Sequence, residues 1–212
     1  MMSSRPQFKR GEKALVIVAH PDDETIWMGG FILKHPELRW TIFSLCRASD
    51  VDRAPKFRRI CSALNARAII TDLDDEGKIN EREAEPLIEK LISQKVGKKR
   101  FSAKGGSTSS WDYIFSHGAN GEYGHPRHKT VHQAVIKMIS GGKLKTGKTF
   151  AFNYRKISKY KLTGKADSDL ILKLNRAQFR KKISLMADIY GFDPDGIDAG
   201  FCTNPESFKI IK

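Results

Sequence analysis

The run Ala14-Leu15-Val16-Ile17-Val18-Ala19, followed at once by His20-Pro21-Asp22-Asp23-Glu24, sets the architecture of the chain. Six apolar residues, half of them β-branched, in a short block read as a buried strand rather than a helix. The next segment, Thr25 to Lys34, carries its apolar residues at helical spacing. The polar block therefore sits where a central strand ends and a helix begins. In open α/β sheets that edge is where ligands bind. His20 and Asp23 lie three positions apart across this turn, so an imidazole nitrogen and a carboxylate oxygen can reach one divalent ion. Asp22 then points elsewhere, close enough to take a proton from water at the metal. A plainer reading makes Asp22 and Asp23 helix caps, favoured by the positive end of the helix dipole, and His20 a hydrogen-bonded loop residue. Spacing alone does not separate the two.

Outward from this block, strands and helices alternate. Arg39–Cys46 reads as a second strand, Pro55–Asn65 as a helix with Phe57, Ile60, Cys61 and Leu64 on one face, and Arg67–Asp72 as a third strand. The polar loop Arg47–Asp52 falls on the same sheet edge as His20. Asp72, Asp74, Asp75 and Glu76 also fall there and read as a solvated turn. Asn80 is placed to cap a helix running to about Lys95. Val96 to Ser110, rich in Lys, Gly and Ser, reads as a mobile excursion within the domain. Trp111–Ser116 is a strand, Arg127 or His128 to Ser140 a helix, and Lys148–Tyr154 a strand with Phe150 and Phe152 on one face. Lys156–Lys165 reads as a basic loop, Leu170–Leu174 as a last strand, Asn175–Tyr190 as a helix and Gly191–Lys212 as an irregular tail. This rhythm predicts a layered α/β sandwich with a mainly parallel sheet. There is no repeat, heptad or low-complexity block.

The 212 residues, 40% of them hydrophobic, suffice for one α/β domain spanning 1–212, with residues 1–12 expected to fray. The apolar run 14–19 is too short for a signal-peptide core or a membrane span. Cys46, Cys61 and Cys202 lack metal-type pairing and are expected to be reduced, buried thiols in a cytoplasmic protein. The formal net charge of +14 raises the question of nucleic acid or an acidic surface. The cations, however, are spread through Lys95–Lys104, Lys143–Lys148, Arg155–Lys165 and Arg180–Lys182, with no basic helix interleaved with aromatics. A solvated surface is the expectation, with an anionic small molecule as the sharper alternative. The oligomeric state is not encoded in any pattern here.

A second cluster of chemistry lies about a hundred residues beyond the first, again just after a strand. Four of the six histidines, His117, His125, His128 and His132, fall within it, beside Tyr123. Gly118, Gly121 and Gly124 let the backbone turn tightly. His128 and His132, four apart on a helix, have a two-ligand spacing; His125 and His128, three apart, also suit if the helix begins between them. Two histidine-bearing strand ends in one α/β domain point to a metal.

Ala19-His20-Pro21-Asp22-Asp23-Glu24 together with Gly121-Glu122-Tyr123-Gly124-His125-Pro126-Arg127-His128 resembles the LmbE-like, or PIG-L, family of zinc-dependent N-deacetylases, which act on N-acetylglucosamine-type sugars. The resemblance implies a Rossmann-like three-layer sandwich. It makes His20, Asp23 and His128 the ligands of a zinc ion, and Asp22 the general base. It assigns Tyr123 and His125 to binding and stabilising the reacting carbonyl; whether Asp22 or His125 gives the proton to the departing amine is left open by the residue types. Arg53, in Asp52-Arg53-Ala54-Pro55, falls where the family has a substrate-contacting arginine, for a hydroxyl or phosphate. Arg127 departs from the Asp or Gln that the family often has and is expected to face solvent or a partner. A nucleotide-dependent oxidoreductase is disfavoured because the first turn lacks Gly-x-Gly-x-x-Gly. The alternatives are a metal-dependent amidase acting on another, phosphate-bearing molecule, and a non-catalytic metal- or sugar-binding module with a nucleic-acid-binding basic surface.

Overall fold

The computed structural model describes residues 6–96 and 110–211. The elements follow in the order β1 (Lys13–Val18), α1 (Asp23–Lys34), β2 (Arg39–Cys46), α2 (Arg53–Ala63), β3 (Arg67–Leu73), α3 (Glu81–Lys95), β4 (Ser110–Ser116), α4 (Pro126–Ser140), β5 (Lys145–Phe152), β6 (Tyr154–Ser158), β7 (Lys161–Gly164), β8 (Leu170–Leu172), α5 (Arg176–Leu185), α6 (Ile197–Gly200) and β9 (Glu206–Ile210), with a π-helical turn at Met186–Tyr190 after α5. The main sheet has seven strands in the order β3-β2-β1-β4-β5-β9-β8. β1 to β5 are parallel, and β9 runs antiparallel to both β5 and β8.

Side-chain alternation along β1 builds the layers. Ala14, Val16 and Val18 enter a core with Trp27, Phe31, Phe57 and Leu185, beneath α1, α2 and α5. Leu15, Ile17 and Ala19 enter a second core with Ile88, Ile92, Val131 and Val135, beneath α3 and α4. All six are fully buried, as a central parallel strand covered on both faces requires. The chain winds outward from β1 through β2 to β3, then returns to place β4 on the other side of β1. Between β1 and β4 lies the switch point where open sheets leave a crevice, and the loops that follow these two strands carry His20 and His128.

Helix α1 is broken at Met28 (φ −148°, ψ 16°). The break frees two amides, and the buried carboxylate of Glu206 accepts both, from Gly30 N at 2.8 Å and Phe31 N at 2.6 Å. It also accepts from Lys182 Nζ at 2.7 Å, and both side chains of this pair are fully buried. The carbonyl of Trp27, freed on the other side of the break, accepts from Tyr154 Oη at 2.6 Å. A Cβ on Gly30 would lie 2.4 Å from Leu174 Cδ1, so any larger residue there would have to displace that leucine side chain.

Several expectations change. Residues 6–12 do not fray: Phe8 packs on Phe31 and Tyr113, with ring centroids 5.3 and 4.9 Å apart. The basic loop at 156–165 is the β6–β7 hairpin, an antiparallel pair outside the main sheet. The strand at Leu170 is not the last, because the irregular tail contains β9, which β8 and β5 flank. Lys182 belongs to the buried pair rather than to a solvated surface. The excursion expected over 96–110 lies, apart from its two ends, outside the described residues. Cys46, Cys61 and Cys202 are free and buried, and no helix among the described residues is long and apolar enough to cross a membrane.

Candidate metal centre and active site

Asp22 stands at the N-cap of α1 but makes no cap hydrogen bond through its side chain. Its backbone has φ 116° and ψ −33°, a conformation that costs a non-glycine residue about 1–3 kcal/mol. Its carbonyl oxygen caps α1, accepting from Thr25 N and Ile26 N at 2.9 Å each. The carboxylate is thereby turned away from the helix and accepts from Arg53 Nη1 at 3.0 Å. Asp23 does not cap either. Its Oδ2 accepts from His20 N at 2.8 Å and its Oδ1 from Trp27 Nε1 at 2.8 Å, which fixes the carboxylate at the end of β1.

The two distant loops meet. His128 Nε2 lies 3.3 Å from His20 Nδ1 and 3.4 Å from Asp23 Oδ1, and His20 Nδ1 lies 3.3 Å from Asp23 Oδ2. Zinc held tetrahedrally at ordinary bond lengths separates its ligand atoms by about 3.3 Å. The donor types suit such an ion, with Asp23 meeting His128 through Oδ1 and His20 through Oδ2; with one atom per residue, the groups that converge include His20, His125 and His128, and Asp23, His117 and His128. Each imidazole also has a carboxylate on its other nitrogen, the usual support of a metal-bound histidine. His128 Nδ1 lies 2.6 Å from Glu122 Oε2, and His20 Nε2 lies 3.5 Å from Asp75 Oδ2. Asp75, expected in a solvated turn, thus faces the site, where Arg47 Nε also donates to it at 2.9 Å. Arg47 turns back from β2 with φ 72° to reach it.

Neighbouring groups of the right type are otherwise engaged. The buried His117 Nδ1 meets the same Glu122 oxygen at 2.9 Å, and its Nε2 accepts from Ala19 N at 3.0 Å, which fixes its tautomer. His132 Nδ1 donates to the His117 carbonyl at 2.8 Å and stands behind the cluster. Cys46 comes within reach of His20 and Asp75, but burial pushes its thiol up and keeps it protonated. His125 belongs with His20 and His128 in one group of possible ligands. Its Nδ1, however, accepts from Arg127 N at 3.2 Å in the first turn of α4, so the neutral ring carries its proton on Nε2. Burial, then the charges of His128 and His20, lower His125 to about 3, in favour of the neutral ring.

The site concentrates charge, with Asp23, Glu24 and Glu122 buried and Asp22 partly open to the cleft. Burial and the charges of Asp23 and Glu24 raise the Asp22 carboxyl well above the usual carboxylate range, while Arg53 opposes them. Burial acts on Asp23 in the same sense but is outweighed by His128 and His117, which hold it well below. Glu122 is likewise held down to about 2, against burial, by His117 and His128. Glu24, fully buried, is raised to about 7 by desolvation; it accepts from Tyr190 Oη at 2.9 Å and from Asp22 N at 3.1 Å, bracing the strained residue.

Asp22 and Asp23, with His20, Asp75, Tyr123 and His125, line a cleft of about 340 Å³. Tyr123 and Phe201 stack at 5.0 Å with an interplanar angle of 5°, and Trp27 lies 6.1 Å from Tyr123. Arg53 reaches the cleft from the start of α2, with its guanidinium 4.6 Å over the Phe192 ring. Asp198 also lines it, from α6 in the tail that had no assigned role. Arg127 does not face solvent. It is buried, 3.5 Å from Glu81 Oε2, and Thr130 Oγ1 donates to that same oxygen, which ties α4 to α3.

An α/β domain that brings two histidines and two aspartates together at the switch point of its parallel sheet defines the class. The chain belongs to the PIG-L family: the family model described as GlcNAc-PI de-N-acetylase matches residues 15–139, more than half of the chain. Among solved structures, the chain is similar to the N,N'-diacetylchitobiose deacetylase from Pyrococcus horikoshii, with TM-score 0.64 and 13% identity over 94% of this chain and 84% of that one. It is also similar to a deacetylase of the teicoplanin biosynthesis pathway, with TM-score 0.61 and 8% identity over 93% and 97%. A third is GalB, a 4-carboxy-2-hydroxymuconate hydratase from Pseudomonas putida KT2440, with TM-score 0.62 and 13% identity over 95% and 96%. At these identities the likeness shows the fold, which carries more than one chemistry.

Proposed function

We propose that the chain hydrolyses the N-acetyl group of an N-acetylglucosamine-type substrate, releasing acetate and a free amine, with zinc held by His20, Asp23 and His128. The observation that carries this reading is the convergence of those three donors beside a fourth group, Asp22, whose carboxylate is turned off the helix and left to do something else. A bound zinc ion supplies Lewis acidity, which makes water nucleophilic near neutral pH and polarises an amide carbonyl.

The chain's own residues do the rest. Asp22 takes the proton of the attacking water, a contribution of roughly a hundred- to ten-thousand-fold. Its raised pKa lets it hold that proton and pass it to the departing nitrogen. His125 Nε2–H and the Tyr123 hydroxyl donate to the carbonyl oxygen as it gains negative charge. Burial raises Tyr123, so it stays a protonated donor. Arg53 orients Asp22 and is placed to meet a sugar hydroxyl. The family description, a de-N-acetylase, supports this chemistry over hydration.

The test pairs metal analysis with acetate release across a panel of N-acetylated glycosides and one N-acetyl amide without a sugar. About one zinc per chain is expected, with acetate released from an N-acetylglucosaminide and release abolished by chelation. Full metal occupancy with no acetate from any sugar overturns the reading; faster release from the simple amide moves it to a general amidase.

A further inference from the structure

We propose that Asp198 determines specificity at this cleft, accepting the hydroxyls of an uncharged amino sugar and turning away sugars that carry phosphate. The proposal rests on the deacetylase reading above and narrows its substrate class. Four carboxylates line the cleft: Asp22, Asp23, Asp75 and Asp198. Three of them have an assigned partner. Asp22 is held by Arg53 at 3.0 Å, Asp75 by Arg47 at 2.9 Å, and Asp23 lies within 3.3–3.5 Å of His20, His117 and His128. Among the described residues no Lys, Arg or His lies within 4.0 Å of the Asp198 carboxylate, and it makes no side-chain hydrogen bond there.

Among the described residues, only two arginines and no lysine line the cleft, and each arginine is already paired with one of its carboxylates. Arg53 is also pinned over Phe192. What a substrate meets is an unpaired carboxylate beside the rings of Tyr123 and Phe201. An ionised carboxylate is acceptor-only and pairs well with adjacent hydroxyl donors, while aromatic rings pack on the apolar face of a pyranose. A phosphate in the same place sets like charge against like and leaves its oxygens without donors.

The experiment is calorimetric titration of the zinc-loaded protein with N-acetylglucosamine and with N-acetylglucosamine 6-phosphate, for the wild type and for Asp198→Asn. The wild type is expected to bind the neutral sugar at least tenfold more tightly than the phosphate. Asp198→Asn is expected to narrow that ratio at least fivefold, partly through tighter binding of the phosphate. Equal or tighter phosphate binding by the wild type, a ratio unchanged in the variant, or no binding of either sugar overturns the proposal. Acetate release from the neutral sugar is scored separately. Release with an unchanged ratio removes only the role of Asp198; the predicted binding pattern without release removes only the chemistry.

Discussion

One carboxylate oxygen of Glu122 meets the Nδ1 atoms of both His128, at 2.6 Å, and His117, at 2.9 Å. The consequence for His128 is directional: with Nδ1–H committed to Glu122, its Nε2 lone pair faces His20 and Asp23. Glu122→Gln keeps the shape but replaces one acceptor oxygen with a donor and removes the charge that strengthens the imidazole as a ligand. Loss of such support typically lowers metal affinity about 10–100-fold. Competition with a chromophoric zinc chelator measures this directly. An affinity equal to that of the wild type would show that Glu122 serves only the packing of the loop.

Asp22→Asn separates holding the metal from using it. The three proposed ligands are untouched, so zinc content is expected to stay near one per chain. Turnover is expected to fall at least a hundredfold, because asparagine accepts no proton. A variant that retains wild-type acetate release removes Asp22 from the proton-transfer role, and one that loses its zinc places Asp22 among the ligands.

The Arg53–Asp22 contact has its own signature in pH. A general base works in its ionised form, and Arg53 is the positive group that opposes the upward push of burial, Asp23 and Glu24 on Asp22. Arg53→Met removes that opposition, so the Asp22 carboxyl rises further. The acid limb of kcat/KM against pH is then expected to move to higher pH, with the loss of activity greatest on the acidic side and shrinking as pH rises. A uniform loss at every pH would assign Arg53 to substrate contact alone.

How much of this was legible in the sequence follows from where each signal resides. The parallel half of the sheet was readable because β1 is buried on both faces and shows as an unbroken apolar run. His20, Asp22, Asp23, Tyr123, His125 and His128 were readable because strand-end loops concentrate them within short motifs. Asp75 was not, because an aspartate among other acids after β3 looks the same whether it faces water or an imidazole. Glu122 stood inside a quoted motif, but its role depends on two ring nitrogens that only the fold brings to it. β9 was missed because it is five residues long and starts with a glutamate, a residue that strands seldom favour. That glutamate is there to meet the amides freed by the break in α1. The β6–β7 hairpin was read as loop because most of β6 is exposed and basic, without an apolar face to give alternation.

Lys182 and Glu206 supply the last prediction, away from the chemistry. Both are fully buried, and Glu206 holds the two amides that the break in α1 exposes. Burial raises the Glu206 carboxyl and Lys182 opposes that rise. Lys182→Met leaves the carboxylate without its cation, a change that typically costs about 3–5 kcal/mol. The sign with pH follows from linkage. A carboxyl whose folded pKa is raised contributes stability below its unfolded value and loses it as pH rises through the folded one. Removing Lys182 raises the folded value further. The deficit of the variant is therefore expected to be full at pH 8, where Glu206 must be ionised or bind a proton at a cost. It is expected to shrink as pH falls towards 5. Urea unfolding midpoints for the wild type and the variant at both pH values measure it, and Lys182→Met combined with Glu206→Gln is expected to recover part of the loss. An equal deficit at pH 5 and pH 8 would trace it to lost packing of the lysine stem against α1 instead of an unpaired charge.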